Sequence, residues 1–146
     1  MGTPYEDIHG RFAMKTTDYR LDKLFVSSES AYQSFLNGFL TSAISKFKKC
    51  TKNLKLRDED LQEFSITLDD DEIEILSELM VVEWASKEVH NIMEMKRHLN
   101  DTDFKLFSEA QNLKEKNNLL ITTREYVGKL ILDYGYDNLD MSLLEG

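Results

Sequence analysis

The spacing of the apolar residues between positions 28 and 49 constrains the fold of this chain more than any other feature. Consecutive apolar positions there are separated by alternating steps of three residues and one residue. This is the pattern of one broad face on a helix with 3.6 residues per turn, so we predict a helix over 28–49 with its aromatic side chains in the core. The members of this face are Tyr32, Phe35, Leu36, Phe39, Leu40, Ala43, Ile44 and Phe47.

The rest of the chain is predicted to be helical as well, because it has only 1 proline and 6 glycines in 146 residues. We expect a short helix that contains Tyr5, Ile8 and Phe12, another over 18–25, and a long helix to about Leu99. A last helix starts near 101–102 and either breaks at 122–125 or runs through to about Tyr134, with Gly135 as the stop. Capping-box patterns stand at 3–6, 67–70 and 122–125, and the alternation over 63–67 is typical of a short edge strand. The sequence thus predicts an all-α bundle of four to five helices with short connectors over residues 1–135, followed by an extended C-terminal tail over 136–146.

Composition limits the classes of function that fit this chain. The net charge of −9 and the pI near 4.8 argue against a general nucleic-acid-binding protein, which would normally have a basic face. The longest apolar run, 79–82, is too short to cross a membrane, and we expect no secretory signal at the N-terminus. The single cysteine, Cys50, excludes an internal disulfide and fits a reducing compartment.

Charge is divided between two neighbouring blocks of the sequence. Six basic residues and no acid lie in 46–57, whereas 58–88 has twelve acids and one base. One interpretation is a solvated surface whose charges cancel locally; the other is head-to-tail self-association, with the basic block of one subunit against the acidic helix of the next. A phosphate-binding role of the basic block is a further alternative. The candidate subunit-interface residues are Lys46, Lys48, Lys49, Lys52, Lys55, Arg57, Asp70, Glu74 and Glu78.

Patterns that carry catalytic chemistry are weak in this sequence. His90, Glu94 and His98 share one helix face and would suit a divalent metal, but the exposed polar side of a helix explains them more simply. The acids at 69–72 fit the start of a helix better than a calcium loop, and Cys50 has no partner that would complete a nucleophilic site. We therefore predict no enzyme, no metal site and no cofactor.

The C-terminal tail is unusually apolar for a solvated end. Three acids accompany its large apolar residues, with Asp133 just before them, and a disordered tail would not usually keep so many apolar residues. The tail is expected either to fold back on its own subunit or, as we favour, to act as a docking arm that reaches a partner. The partner-docking candidates are Tyr136, Leu139, Met141, Leu143 and Leu144.

The layout of the chain from 4 to 136 resembles the small helical head–tail connector (neck or adaptor) proteins of tailed bacteriophages. The resembling segments are PYEDI at 4–8, FLNGFLTSAISKF at 35–47, EIEIL and MVVEW within 68–84, and DFKLFSEA at 103–110. The resemblance implies a structural virion protein, made in the bacterial cytoplasm, that forms a ring of many copies, often twelve. Such a ring connects the portal protein to the next neck or tail protein, with DNA passing through its lumen without sequence-specific binding.

Two other functions remain open on the sequence. The first is a small helical phage-encoded binding module or regulator that acts on a host protein. The second is a small metal-dependent enzyme that uses His90, Glu94 and His98.

Overall fold

The computed structural model describes residues 2–98 and 109–138, which form five helices and one small hairpin. The all-α class predicted from the sequence is confirmed. The helices are α1 (Tyr5–Lys15), α2 (Tyr19–Ser27), α3 (Glu29–Lys46), α4 (Asp70–His98) and α5 (Glu109–Asp137). Strands β1 (Arg57–Asp58) and β2 (Glu63–Phe64) pair antiparallel in the connector between α3 and α4.

Helix α4 is the centre of the bundle, because α1, α3 and α5 all pack against it. Its residues 75–82 are buried in succession, including the polar Ser77 and Glu78. A helix that is apolar on several sides needs neighbours on several sides, and these three helices provide them. Helix α5 runs antiparallel to α4, since Asp137 lies near Asp71 and Lys116 lies over the Trp84 ring.

The first described residues are tied to the small hairpin. The Thr3 amide donates to the Ile66 carbonyl at 3.1 Å, and the Phe64 amide donates to the Thr3 carbonyl at 2.8 Å. The backbone approaches so closely that a Cβ on Gly2 would lie 1.5 Å from the Phe64 carbonyl oxygen. The capping box predicted at 3–6 does not form, because the Thr3 hydroxyl instead accepts from the Leu68 amide at 2.8 Å.

The second predicted capping box forms two residues later than expected. The Asp69 carboxylate accepts from the Glu72 amide at 2.8 Å, and the Glu72 carboxylate accepts from the Asp69 amide at 2.9 Å. The three-residue spacing of a capping box fits Thr67 with Asp70 as well as Asp69 with Glu72. The longer Glu side chain at the third helical position reaches the backbone amide of the cap residue, whereas an Asp side chain is too short. The third pattern, at 122–125, lies inside the continuous helix α5, where Thr123 is buried.

Three further details differ from the sequence predictions. Phe35 is 39% exposed, although the other aromatic residues of α3 that were predicted as core are buried or half-buried. Helix α3 ends at Lys46, and α5 continues two residues past Gly135 to Asp137.

Within 2–98 and 109–138, the structure contains no helix with the length and apolarity that a membrane crossing requires. The predicted turn after α4 and the tail residues Leu139, Met141, Leu143 and Leu144 lie outside the described residues.

Candidate functional site

A groove of about 470 Å³ lies where α3 ends and the connector to α4 begins. Its apolar floor includes Phe47 and Leu54, both buried. We call it the basic groove, because four cations stand around that floor. Its lining residues are Thr41, Ile44, Ser45, Phe47, Lys48, Cys50, Lys52, Asn53, Leu54, Lys55 and Arg57.

Half of the cations predicted at a subunit interface are neutralised within the chain. Lys46 forms an ion pair with Glu83 on α4. The Lys52 ammonium lies 2.5 Å from a carboxylate oxygen of Glu72, and Arg57 Nε lies 2.7 Å from Glu59. These contacts explain why the basic block can fold against an acidic helix.

The other three cations form what we call the basic surface: Lys48, Lys49 and Lys55. Lys48 and Lys55 line the basic groove, and Lys49 follows Lys48 in the chain. All three are exposed, and within the described part of the chain none of them has an ion-pair partner. They are therefore free to contact another molecule.

The acids that the sequence singled out face helix α1 of the same chain. Arg11 lies 3.0 Å from the Asp70 carboxylate and 3.1 Å from that of Glu74. Lys15 pairs with Glu74 and, at 2.8 Å, with Glu78. Arg11 and Lys15 are four residues apart, so both lie on the face of α1 that is turned to α4.

A different group of acids lies together between α4 and α5, and sequence reasoning missed it. Asp71, Glu74, Asp133 and Asp137 line a depression of about 210 Å³, which we call the acidic pocket. The antiparallel packing of the two helices brings the first turn of α4 against the last turns of α5. Of these acids, Asp71, Asp133 and Asp137 are exposed and have no ion-pair partner in the described residues.

The acids at the end of α5 are unfavourable for the helix itself. No basic residue occupies its last turn, although a helix C-terminus carries partial negative charge and favours cations. Acids in this position are expected to destabilise the isolated helix by a few tenths of a kcal/mol. This placement was the sequence signal that could have identified Asp133 and Asp137 as candidates.

A buried carboxylate joins the basic groove to the acidic pocket. The Glu72 side chain is fully buried and accepts hydrogen bonds from Lys52 and, at 2.7 Å, from the Tyr134 hydroxyl. That hydroxyl in turn accepts a hydrogen bond from the Thr51 amide at 2.9 Å. The Tyr134 ring packs on the Phe47 ring, with 5.2 Å between the ring centres. These contacts hold the connector, the start of α4 and the end of α5 in one fixed arrangement.

The protonation states in this network follow from burial and hydrogen bonding. Burial raises the pKa of Glu72, but the hydrogen bonds from Lys52, the Asp69 amide and Tyr134 outweigh it and hold that pKa below its ordinary value. Burial is also the main reason that the pKa of the Cys50 thiol is raised. A thiol with a raised pKa is a poor nucleophile, so Cys50 is not activated by the lysines around it.

Two of the three candidate metal ligands on α4, His90 and Glu94, are not held as a preformed metal site would hold them. The nearest His90 and Glu94 atoms are 3.9 Å apart, both side chains are exposed, and Glu94 also pairs with Arg97 at 2.7 Å. The side chain of His98 lies outside the described part. Among the residues that the structure describes, no three His, Cys, Asp or Glu side chains are arranged to hold a metal ion.

A second surface surrounds Trp84. The indole is buried, its Nε1 donates to the Asp18 carboxylate at 2.9 Å, and Lys116 lies 4.5 Å from the ring centre. Two adjoining cavities of about 450 and 320 Å³ share Asp18, Trp84 and Asn91 among their lining residues. We call them together the Trp84 groove; Phe35, at its edge, is partly exposed.

No family model, curated protein or solved structure matches this chain. The candidate site is therefore defined by its geometry and charge. It consists of the basic surface with its groove and, near them, the acidic pocket, joined by the buried Glu72 network.

Proposed function

We propose that this chain is a head–tail connector protein of a tailed bacteriophage. Its copies form a ring of many subunits, often twelve in the family that it resembles, between the portal protein and the next neck or tail protein. The single observation that carries the proposal is that one subunit has two separate surfaces of opposite, uncompensated charge. These are the basic surface (Lys48, Lys49 and Lys55) and the acidic pocket (Asp71, Asp133 and Asp137).

Two such surfaces on one subunit favour a head-to-tail contact. When the contacting patches differ, each copy can bind one neighbour on each side, and the series closes into a ring if the rotation allows it. Opposite charges also increase the rate of encounter and disfavour the wrong orientation, in which like charges would meet. The rigid Glu72 network supports this arrangement, because it fixes the angle between the two surfaces.

The overall charge agrees with a ring through which DNA moves. A net charge of −9 is unfavourable for general binding to DNA phosphates, and the contact with a neighbour would cover Lys48, Lys49 and Lys55. In this proposal the protein is made in the host cytoplasm and ends in the neck of the virion. It needs no cofactor or membrane.

A second candidate function is a binding module that acts on a host protein. The Trp84 groove favours it, because partly exposed aromatic residues beside a cavity are typical of a binding surface. This candidate predicts a monomer or dimer with one tightly bound partner, whereas a connector predicts a multi-copy ring in the particle.

Deletion of the coding sequence from the viral genome that carries it tests the proposal. Particles released after lysis are examined by electron microscopy. A connector is expected to leave DNA-filled heads without tails, and the intact sequence supplied on a plasmid restores tailed particles. Normal tailed particles from the deletion would contradict the proposal.

A further inference from the structure

We propose that the basic groove of one subunit binds residues 139–146 of the neighbouring subunit. This inference rests on the proposed ring and names what fills the groove at each contact. Three observations carry it: the chemistry of the groove, the chemistry of the segment, and the place where the described chain ends.

The groove offers an apolar floor with cations around it. Phe47 and Leu54 are buried beneath it, so the floor is built into the core and does not depend on the ligand for its shape. Lys52 and Arg57 already pair with acids of their own chain. Lys48 and Lys55 remain for an acidic ligand, and a suitable ligand would combine apolar side chains with carboxylates.

The segment 139–146, LDMSLLEG, has this composition. It has four large apolar residues, two acids and no base. Leu139, Met141 and Leu143 alternate with Asp140 and Ser142. In an extended peptide this alternation directs the apolar side chains to one side and the polar ones to the other.

The segment begins beside the acidic pocket. Helix α5 ends at Asp137, and Asn138 is the last described residue. The groove of the same chain is also near, because the Tyr134 ring packs on Phe47 of the groove floor with 5.2 Å between the ring centres. In this proposal the segment binds the neighbour because the head-to-tail contact sets the acidic pocket, where the segment starts, against the basic groove of the next copy.

The length of the segment suits a contact between copies. Eight extended residues span roughly 26–29 Å, enough to cross an interface and lie along a groove. Each contact alone is small, but a ring repeats it in every subunit, so the assembled contacts support one another.

Mixing two complementary variants tests the proposal. The first variant carries Lys48→Glu and Lys55→Glu and keeps the segment, so it can donate but not accept. The second ends after Asn138 and keeps the groove, so it can accept but not donate. Native mass spectrometry is expected to show self-association of each variant weakened by roughly tenfold or more. A one-to-one heterodimer that does not grow further is expected in the mixture.

The matched control replaces the first variant with Lys23→Glu and Lys114→Glu, which make the same charge change on exposed lysines outside the groove. This control is expected to self-associate like the unmodified chain. Circular dichroism is expected to show that every variant is folded. A mixture of the two complementary variants that stays monomeric would overturn the proposal.

A labelled peptide of residues 137–146 separates a neighbour's segment from the chain's own. If the groove is open in the free subunit, the peptide is expected to bind the full chain and the chain ending at Asn138 with equal affinity. If the peptide binds the shortened chain at least roughly tenfold more tightly than the full chain, the groove of the full chain is occupied by that chain's own segment. This result would overturn the proposal.

The two proposals fail in different ways. If the shortened chain self-associates as well as the full chain, the role of the segment is wrong but the ring remains. If deletion of the coding sequence leaves tailed particles, the connector function is wrong, whatever the peptide binds.

Discussion

At the scale of single residues, Glu72 is the side chain on which the candidate site depends most. Its carboxylate is fully buried, and three segments of the chain, namely the connector, the start of α4 and the end of α5, contribute groups to its network. A buried carboxylate without partners would be strongly destabilising, so its hydrogen bonds must form together with the fold. The sequence indicated the helix start at this point but not that the residue would be buried.

Tyr134→Phe is expected to destabilise the protein by about 1–3 kcal/mol, because it leaves the Thr51 amide and a Glu72 oxygen without a partner. The free energy of unfolding in urea measures this. Tyr136→Phe is the matched control, since Tyr136 is 69% exposed, and it is expected to have no effect. Equal stability of the two variants would contradict the structural role of the network.

The two groove lysines Lys52 and Lys55 are expected to respond differently to charge reversal, because only Lys52 has an ion-pair partner among the described residues. Lys52→Glu places a second carboxylate beside the buried Glu72, whereas Lys55→Glu changes only an exposed side chain. We expect a loss of roughly 2–3 kcal/mol for Lys52→Glu, below the value for a fully buried pair because Lys52 is partly exposed. Lys55→Glu is expected to leave the urea midpoint unchanged, and a similar loss in both would contradict the assignment.

His9 is expected to make stability depend on pH. Its ring is buried, Nε2 lies 2.7 Å from the Asn37 side-chain oxygen, and burial lowers its pKa below the ordinary 6.5. The unfolded chain therefore takes up a proton at a higher pH than the folded one. The contribution of His9 to the free energy of unfolding is complete above about pH 6.5. It is lost as the pH falls below that value toward the pKa of His9 in the folded state.

Thermal melts at several pH values between about 5 and 8 measure this effect. The His9→Gln variant is expected to have a flatter dependence of the midpoint on pH, even if the midpoint itself is lower at every pH. An unchanged slope in that variant would contradict the role of His9.

At the scale of secondary-structure elements, the helices were predictable and several of their ends and partners were not. The apolar spacing of α3 and α4 is a local property, and it identified both helices. Thr3 shows where local rules fail, because its hydroxyl caps a distant amide at Leu68 instead of its own helix. Phe35 fits the apolar face of α3 by spacing, but its ring stays partly exposed beside Lys87 of α4, whose ammonium lies 5.8 Å from the ring centre.

The candidate site was only partly predictable for the same reason. The basic residues lie close together in sequence, so Lys48, Lys49 and Lys55 could be named from the sequence alone. The acidic pocket joins Asp71 to Asp133 and Asp137, and their proximity depends on how α5 returns along α4. The packing of the two helices determines that these acids lie close together, and the apolar periodicity of neither helix predicts it.

Trp84 connects three elements, because it lies on α4, donates to Asp18 at the start of α2 and is covered by Lys116 of α5. Trp84→Ala is expected to destabilise the fold by about 3–5 kcal/mol, through the cavity it leaves. Urea unfolding measures this, and Leu132→Ala at an exposed position is the control. A normal midpoint combined with failed assembly would instead place Trp84 in a subunit contact.

At the scale of the whole molecule, the central claim is that two oppositely charged surfaces join copies of this chain head to tail in a phage neck. The structure narrows the claim made from sequence. Of the nine residues named as interface candidates, six are paired within the chain: Lys46, Lys52, Arg57, Asp70, Glu74 and Glu78. The basic surface is what remains of that set, and the acidic pocket is the surface of opposite charge that the helix packing adds.

Complementation of the viral deletion by charge variants tests this claim most directly. One plasmid supplies the chain with Lys48→Glu, Lys49→Glu and Lys55→Glu. The other supplies Lys23→Glu, Lys114→Glu and Lys129→Glu, an equal charge change on exposed lysines elsewhere. Electron microscopy is expected to show tailed particles with the second plasmid and only DNA-filled, tailless heads with the first. Tailed particles in equal number from both plasmids would contradict the claim.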